Sequence, residues 1–315
     1  MRILVTGSSG QIGTNLALRL LRDGHSVFGI DKRANSWTNA FPYLLQDLSG
    51  SYRDFAGGIG AVQYPACDLV VHLAANAKVH ELVEQPHRAL ENITLTFNVL
   101  EFCRQNELPL IFSSSREVYG DIHHYLTEET QADFSFTESP YSASKISGEA
   151  LIYSYARCYG VRYLVFRFSN VYGRYDADIE RMERVIPLFI RRISHGQPVR
   201  VFGKDKVLDF TYIDDCVNGI VLGIERLLAG TVTNQTINLA YGQGSSLVAM
   251  AQYIGQALDI EPEIKVEAAK RPGEVTHYVA NLSKAEELLG YHPQVALEQG
   301  IRRAVDWWRS WQGAQ

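Results

Sequence analysis

The stretch Arg2-Ile3-Leu4-Val5-Thr6-Gly7-Ser8-Ser9-Gly10-Gln11-Ile12-Gly13 decides how the rest of the chain is read. Ile3, Leu4 and Val5 form the short apolar run expected of a buried parallel strand. Gly7, Gly10 and Gly13 follow at GxxGxxG spacing. Leu16, Leu18, Leu20 and Leu21 then recur without proline, and Gly24 ends the helix they predict. Val27, Phe28 and Ile30 make a second strand that stops at Asp31. Strand, glycine turn, helix and strand form a βαβ unit. Its glycines let the backbone approach a pyrophosphate, and the helix N-terminus favours the negative charge. Asp31 stands 18 residues beyond Gly13, at a strand end where a carboxylate accepts from both ribose hydroxyls. That points to NAD, because the carboxylate repels the 2′-phosphate of NADP. Lys32 and Arg33, next in the chain, make the weaker case for NADP.

The alternation continues outward. Residues 68–73 (Asp-Leu-Val-Val-His-Leu) read as a strand, and 87–106 as a helix on Leu90, Ile93, Phe97 and Leu100. Leu110-Ile111-Phe112 is a strand ending in Ser113-Ser114-Ser115. Tyr141 to Tyr159 is a helix with Pro140 before it and Gly160 after it. Tyr163 to Phe168 is a strand. Repeated βα units predict an α/β fold with a doubly wound parallel sheet, a Rossmann domain. Beyond residue 171 the pattern loosens. Helices are expected at 181–194 and 214–228, and strands at 199–203 and 236–239. The expected division is a nucleotide-binding domain of 1–170 plus about 209–241, with a smaller mixed substrate lobe of about 171–208 and 242–315.

Composition narrows the function. The chain has 315 residues, 46% apolar and 21% charged, with a formal net charge of −5. These are ordinary values for a globular protein, and nothing in them draws the chain to nucleic acid or acidic lipid. No apolar window is long enough to span a membrane. Residues 1–7 lack a signal-type apolar core, so the expected location is cytoplasmic. Cys67, Cys103, Cys158 and Cys216 form no CxxC pair and read as buried free thiols. His123-His124 is read as a loop and Asp214-Asp215 as a helix cap. No metal site is expected. Trp307, Trp308 and Trp311 are expected to pack onto the lobe.

Tyr141 and Lys145 are four apart on a predicted helix, so they lie on one face. An ammonium one turn from a phenol favours the phenolate. A phenolate beside a nicotinamide can take a hydroxyl proton while hydride leaves the same carbon. Ser113-Ser114-Ser115 ends the preceding strand at the same sheet edge, where ligands bind in open α/β folds.

With these residues in place, the chain resembles the extended short-chain dehydrogenase/reductase family, in its NAD-dependent nucleotide-sugar epimerase/dehydratase branch. The matching motifs are the Gly7–Gly13 turn, Asp31, Gln46-Asp47-Leu48, His72-Leu73-Ala74-Ala75, residues 113–120 (SSSREVYG), Tyr141 with Lys145, residues 167–173 (RFSNVYG), residues 209–215 (DFTYIDD) and residues 271–274 (RPGE). The resemblance implies an NAD site along Gly7, Gly10, Gln11, Ile12, Gly13, Asp31, Lys32, Leu48, Leu73, Ala74, Ala75 and Lys78, with Asp47 at the adenine amino group. It implies that Ser115 holds the sugar C4 oxygen and that Tyr141 is the base. Lys145 would tune Tyr141 and hold the nicotinamide ribose. Arg116, Asn170 and Arg271 would face the nucleotide-sugar substrate. It also implies a homodimer built on the helices near 87–106 and 141–159.

Two positions depart from the branch. Arg116-Glu117 follows the third serine, where many 4-epimerases carry small neutral residues. A Ser-x-Glu pattern resembles the dehydratases and decarboxylases, whose Glu works near sugar C5. Arg116 cannot serve as an acid there, but it can pair with a substrate carboxylate. Leu208 stands where the branch usually has an Arg on phosphate, with Lys204 and Lys206 nearby. The expected function is 4-epimerisation of a UDP-hexose or UDP-uronic acid through a transient 4-ketone. The alternative is a nucleotide-sugar dehydratase or UDP-glucuronate decarboxylase using Glu117. A non-catalytic NAD(H)-binding protein ranks below both, because it has no need of Ser115, Tyr141 and Lys145 together.

Overall fold

The computed structural model describes residues 1–50, 64–121, 126–177, 184–203, 205–268, 273 and 275–313. Seven strands form one parallel sheet. They are β1 (Arg2–Thr6), β2 (Ser26–Asp31), β3 (Tyr43–Leu45), β4 (Leu69–His72), β5 (Leu110–Ser115), β6 (Tyr163–Phe168) and, after three strands placed elsewhere, β10 (Gln235–Leu239). Their order is β10-β6-β5-β4-β1-β2-β3. From β1 the chain winds first to β2 and β3 on one side, then returns to β4 and continues the other way. The reversal opens a crevice at the carboxyl ends of β1 and β4, the place where such sheets bind ligands.

The pleat sorts the apolar run of β1 onto both faces. Ile3 and Val5 join one core, with Leu16 and Leu20 of α1 (Gln11–Arg22) and Ile220 and Ile224 of α6 (Ile213–Leu228). Leu4 joins the other, with Val99 of α3 (His87–Gln105) and Ile152 of α4 (Pro140–Tyr159). A short α2 (Val79–Glu84) precedes α3. The start of α4 is set locally. Ser139 accepts from the Ser142 amide at 3.1 Å, Pro140 occupies the first turn, and Gly160 ends the helix at φ +71°.

The remaining strands build a smaller lobe. β7 (Asn170–Tyr172), β9 (Val207–Tyr212), β11 (Gly244–Ser246) and β13 (His277–Tyr278) share one mixed sheet centred on β9. β8 (Val199–Phe202) pairs with β12 (Ile264–Glu267). Residues 209–212 therefore pair in the small sheet and not beside β6, whereas 235–239 do join the large one. The helices of the lobe are α5 (Val185–Ser194), α7 (Leu247–Leu258), α8 (Ser283–Leu289) and α9 (Leu297–Gln312). The core on the α1 side runs without a break into this lobe, through Ile190, Met250 and Trp308.

Asp214-Asp215 does not cap its own helix. Asp215 accepts from the Gln294 and Val295 amides at 2.9 Å each, and Asp214 pairs with Arg174 at 2.5 Å. Asp215 thus ties the C-terminal segment down, and Asp214 holds the loop after β7. Trp307 and Trp311 stack on each other and also meet Trp37, from the loop after β2, at 5.8 and 5.9 Å. The C-terminal helix thus packs back onto the nucleotide-binding side as well as onto the lobe. The His123-His124 pair, Lys204 and Arg271 lie outside the described residues.

Candidate active site

The glycine turn is held by close approach. Gly7 has φ +71°, and a Cβ there would sit 2.7 Å from the Ala74 amide nitrogen. A Cβ on Gly13 would collide with the Gly7 carbonyl. A side chain at Gly7 therefore forces the turn away from the exit of β4, and one at Gly13 forces the turn itself apart. Asp31 closes the turn from the second strand. Its carboxylate accepts from the Ser9 amide at 2.9 Å and the Arg33 amide at 3.0 Å. Lys32 turns away to Asn76 Oδ1, at 3.0 Å.

His72 ends β4 opposite Thr6 and is fully buried. Its Nδ1 and the Thr6 hydroxyl are 2.7 Å apart, and the same hydroxyl accepts from the Ala74 amide at 3.3 Å. Burial, with the nearby Lys145 charge, pushes the imidazole down to about 3. It is a neutral strut beneath the crevice.

At the other end of the crevice, Lys145 donates to the Ser113 carbonyl at 2.7 Å. Its ammonium lies 5.8 Å from the centre of the Tyr141 ring. Burial pushes the ammonium down to about 8, against the pull of Glu149 one turn on. The phenol of Tyr141 moves the opposite way from the sequence expectation, up to about 12. Burial is the largest cause and the Glu117 charge adds to it, while a Ser115 hydrogen bond, Arg184 and Arg116 oppose it. Those three together do not outweigh the loss of water and the Glu117 charge.

Ser115 closes β5, and its hydroxyl accepts from the Glu117 amide at 3.2 Å. Arg116 and Glu117 form a buried ion pair at 2.8 Å. Arg116 also donates to Asn170 Oδ1 at 3.3 Å, and Asn170 donates to the Asp209 carbonyl. The Arg116 guanidinium is thus already engaged by a carboxylate of its own chain. Behind Lys145, Glu149 accepts from Arg167 at 2.7 Å and from the Ser114 hydroxyl at 2.5 Å.

One cleft of about 730 Å³ joins these parts. Every expected cofactor, catalytic and substrate residue that falls among the described ones lines it: the glycine turn, Asp31, Lys32, Asp47, Leu48, Leu73 to Ala75, Lys78, Ser115 to Glu117, Tyr141, Lys145 and Asn170. The cleft then continues past Phe202, Lys206, Leu208, Phe210 and Leu247 of the lobe. Arg184 and Asp176 also reach it and carried no sequence signal. Arg184 pairs with Asp176 at 2.9 Å and donates to Gln11 in the glycine turn, across 173 positions of chain. Asp176 is buried, and that burial holds its carboxyl up to about 6 despite Arg184.

The family follows from this geometry and from its relatives. Residues 3–240 match the NAD dependent epimerase/dehydratase family. The chain belongs to that family. It is 30% identical to the UDP-glucuronate 4-epimerase of Thermodesulfobacterium geofontis, over 96% of this chain and 95% of that one. It is also 30% identical to dTDP-glucose 4,6-dehydratase 1 of Escherichia coli K12, over 98% and 93%. Among solved structures it is similar to the UDP-glucuronic acid 4-epimerase of Bacillus cereus, in complex with UDP-glucuronic acid and NAD. The TM-score is 0.84 and the identity 26%, over 99% of this chain and all of that one. The protein is an enzyme of the epimerase/dehydratase type, and its cofactor is NAD. The glycine cradle, in which any Cβ would intrude, and the Asp31 carboxylate at the strand end fit that cofactor. Among the described residues, no helix is long and apolar enough to cross a membrane.

Proposed function

We propose that this member of the family is a nucleotide-sugar 4-epimerase acting on a UDP-hexose or UDP-uronic acid. The observation that carries the reading is the single cleft. It runs from the glycine turn, past Ser115, Tyr141 and Lys145, to the lobe, so a cofactor and a nucleotide sugar can meet at Tyr141. NAD, when bound, supplies the hydride acceptor and a positive charge beside the phenol. The Ser115 hydroxyl holds the C4 oxygen, and Tyr141 takes the C4 hydroxyl proton as the C4 hydrogen leaves as hydride. The ketone turns within the cleft, and hydride returns to its other face while Tyr141 gives the proton back. Asp31, Asp47 and the turn glycines hold the cofactor. Asn170 and Arg116 face the substrate from the cleft wall.

A second reading is dehydration or decarboxylation. It is favoured by Glu117, which is buried on the cleft wall close enough to raise the Tyr141 phenol. Incubation with UDP-, dTDP- and GDP-sugars, with products read by NMR, separates the two. Inversion at C4 alone supports the epimerase. A 6-deoxy-4-keto signal or released carbon dioxide overturns it in favour of the second reading.

The protein is further read as a cytoplasmic homodimer. Leu90 and Phe97 project from α3, and Tyr159 from the end of α4, at 65%, 37% and 58% exposure. Between them α4 presents the small residues Ala143, Ser147, Ala150 and Ser154, a face another helix pair can approach closely. Light scattering should give twice the chain mass, and Phe97→Arg should give the single mass. The four cysteines are free thiols, as suits a reducing compartment; Cys103 and Cys216 are buried as expected, but Cys67 is half-buried and Cys158 is exposed near the end of α4.

A further inference from the structure

Arg116 and Glu117 sit side by side on the turn that leaves Ser115, with 8% and 6% of their surfaces exposed. Two charges this far from water hold each other strongly, and either alone is costly to bury. The pair lies at the reacting end of the cleft. Ser115 accepts from the Glu117 amide, and Asn170 takes a second donor of the Arg116 guanidinium. Arg116 meets both Glu117 and Asn170 through Nη2, and its other terminal nitrogen, Nη1, is buried without a hydrogen-bond partner in the protein. A sugar oxygen in the cleft would satisfy it.

A carboxylate in this place is a hazard to an epimerase. Once C4 is a ketone, the hydrogen on C5 is acidic, because the electron pair of the C5–H bond can pass into the C4–C5 bond and onto the C4 oxygen as an enolate. A base beside C4 and C5 removes that proton, forming its own O–H bond, and opens the way to elimination. Tyr141 meets the C4 oxygen in the proposed reaction, and Glu117 is near enough for its charge to act on that phenol. Glu117 lines the same cleft as Tyr141 and Ser115, and its amide donates to the Ser115 hydroxyl, so its carboxylate belongs to the wall that holds the C4 oxygen.

We infer that Arg116 is a positioning residue that disarms Glu117, binding its carboxylate so that it does not act as a base at C5 and the 4-ketone is returned by hydride alone. A carboxylate bound by a guanidinium is a weaker base than one deprived of its cation in the same buried place. This rests on the 4-epimerase reading. It goes beyond it by giving the cation a part in choosing the product.

The test follows the ratio of C5 deuterium uptake to C4 inversion in heavy water, on the sugar the wild type inverts. If the wild type inverts no sugar at C4, the 4-epimerase reading fails before any variant is compared. In the wild type the ratio should be near zero. Arg116→Met should raise it by roughly tenfold or more, the effect of about one pKa unit of added basicity. Arg116→Lys keeps the charge but loses the planar guanidinium that reaches both Glu117 and Asn170, and should raise it several-fold. The double variant R116M/E117Q should return to the wild-type ratio, which a merely structural role for Arg116 would not produce. A wild-type ratio in R116M, or a raised ratio that persists in the double variant, overturns the inference. Should R116M fail to fold, R116K decides: a wild-type ratio there overturns it equally.

Discussion

The Lys145 ammonium donates to the Ser113 carbonyl at 2.7 Å, one strand end away from Ser115. The helix that carries the base is thereby pinned to the strand that carries the serine, so Tyr141 and Ser115 keep their relative place. Lys145→Met removes both the pin and the charge beside the phenol. Its kcat should fall by about 10² or more, and its NAD affinity should fall with it. Tyr141→Phe should lose about 10²–10⁴ in kcat, the usual worth of a positioned acid–base group, with NAD affinity nearly kept. Steady-state kinetics and NAD titration check both. Near-normal turnover in the phenylalanine variant would remove Tyr141 from the mechanism.

Asp31 has two tasks in the structure, because the carboxylate that would meet the ribose also anchors the Ser9 and Arg33 amides. Asp31→Ala should weaken NAD binding by roughly ten- to a hundredfold, the worth of one or two hydrogen bonds to a charge. It should also admit NADP, since the repulsive charge is gone. Calorimetric titration with both cofactors tests this. A wild type that already prefers NADP would contradict the role given to Asp31.

His72 makes the fold acid-sensitive. Its imidazole is held down to about 3 by burial and the Lys145 charge, against about 6.5 in the unfolded chain. Between those values the unfolded state binds the extra proton, so stability is lost as pH falls from about 6.5 toward 3. The full effect is on the order of a few kcal/mol. Asp176 and Asp209, both held up to about 6 by burial, act in the opposite sense over part of that window. The comparison is therefore between the wild type and His72→Asn. Urea midpoints between pH 7 and 4.5 should fall less steeply in the variant, and parallel slopes would rule His72 out as the cause.

Arg167 and Glu149 form the buried pair behind Lys145, with about 6% of each side chain exposed. Arg167→Met would leave the Glu149 charge without its main partner. That should cost about 3–5 kcal/mol in chemical denaturation. A loss below about 1 kcal/mol would mean that the Ser114 and Tyr153 hydroxyls, at 2.5 and 2.9 Å, suffice for Glu149.

Much of the fold was legible because its signals are short-range. The apolar runs of β1, β4, β5 and β6 are buried on both faces, so each reads as a strand without reference to its neighbours. The Gly7–Gly13 turn, Asp31 and the Tyr141–Lys145 pair are spacings within one βαβ unit or one helical turn. Pro140 and Gly160 mark both ends of α4 for the same reason.

What only the tertiary structure decided are contacts between residues far apart in the chain, for which no periodicity exists. The sheet that takes β9, the reach of Arg184 to Gln11, the hold of Asp215 on residues 294–295 and the packing of Trp37 on Trp307 are of this kind. The charge states at the site are another. Spacing alone put an ammonium beside a phenol and implied a lowered pKa. Burial, which depends on every element packed around Tyr141, raises it instead, against Ser115, Arg184 and Arg116. Neighbour identity is written in the sequence, but the water a residue loses is fixed only when the whole chain has closed over it.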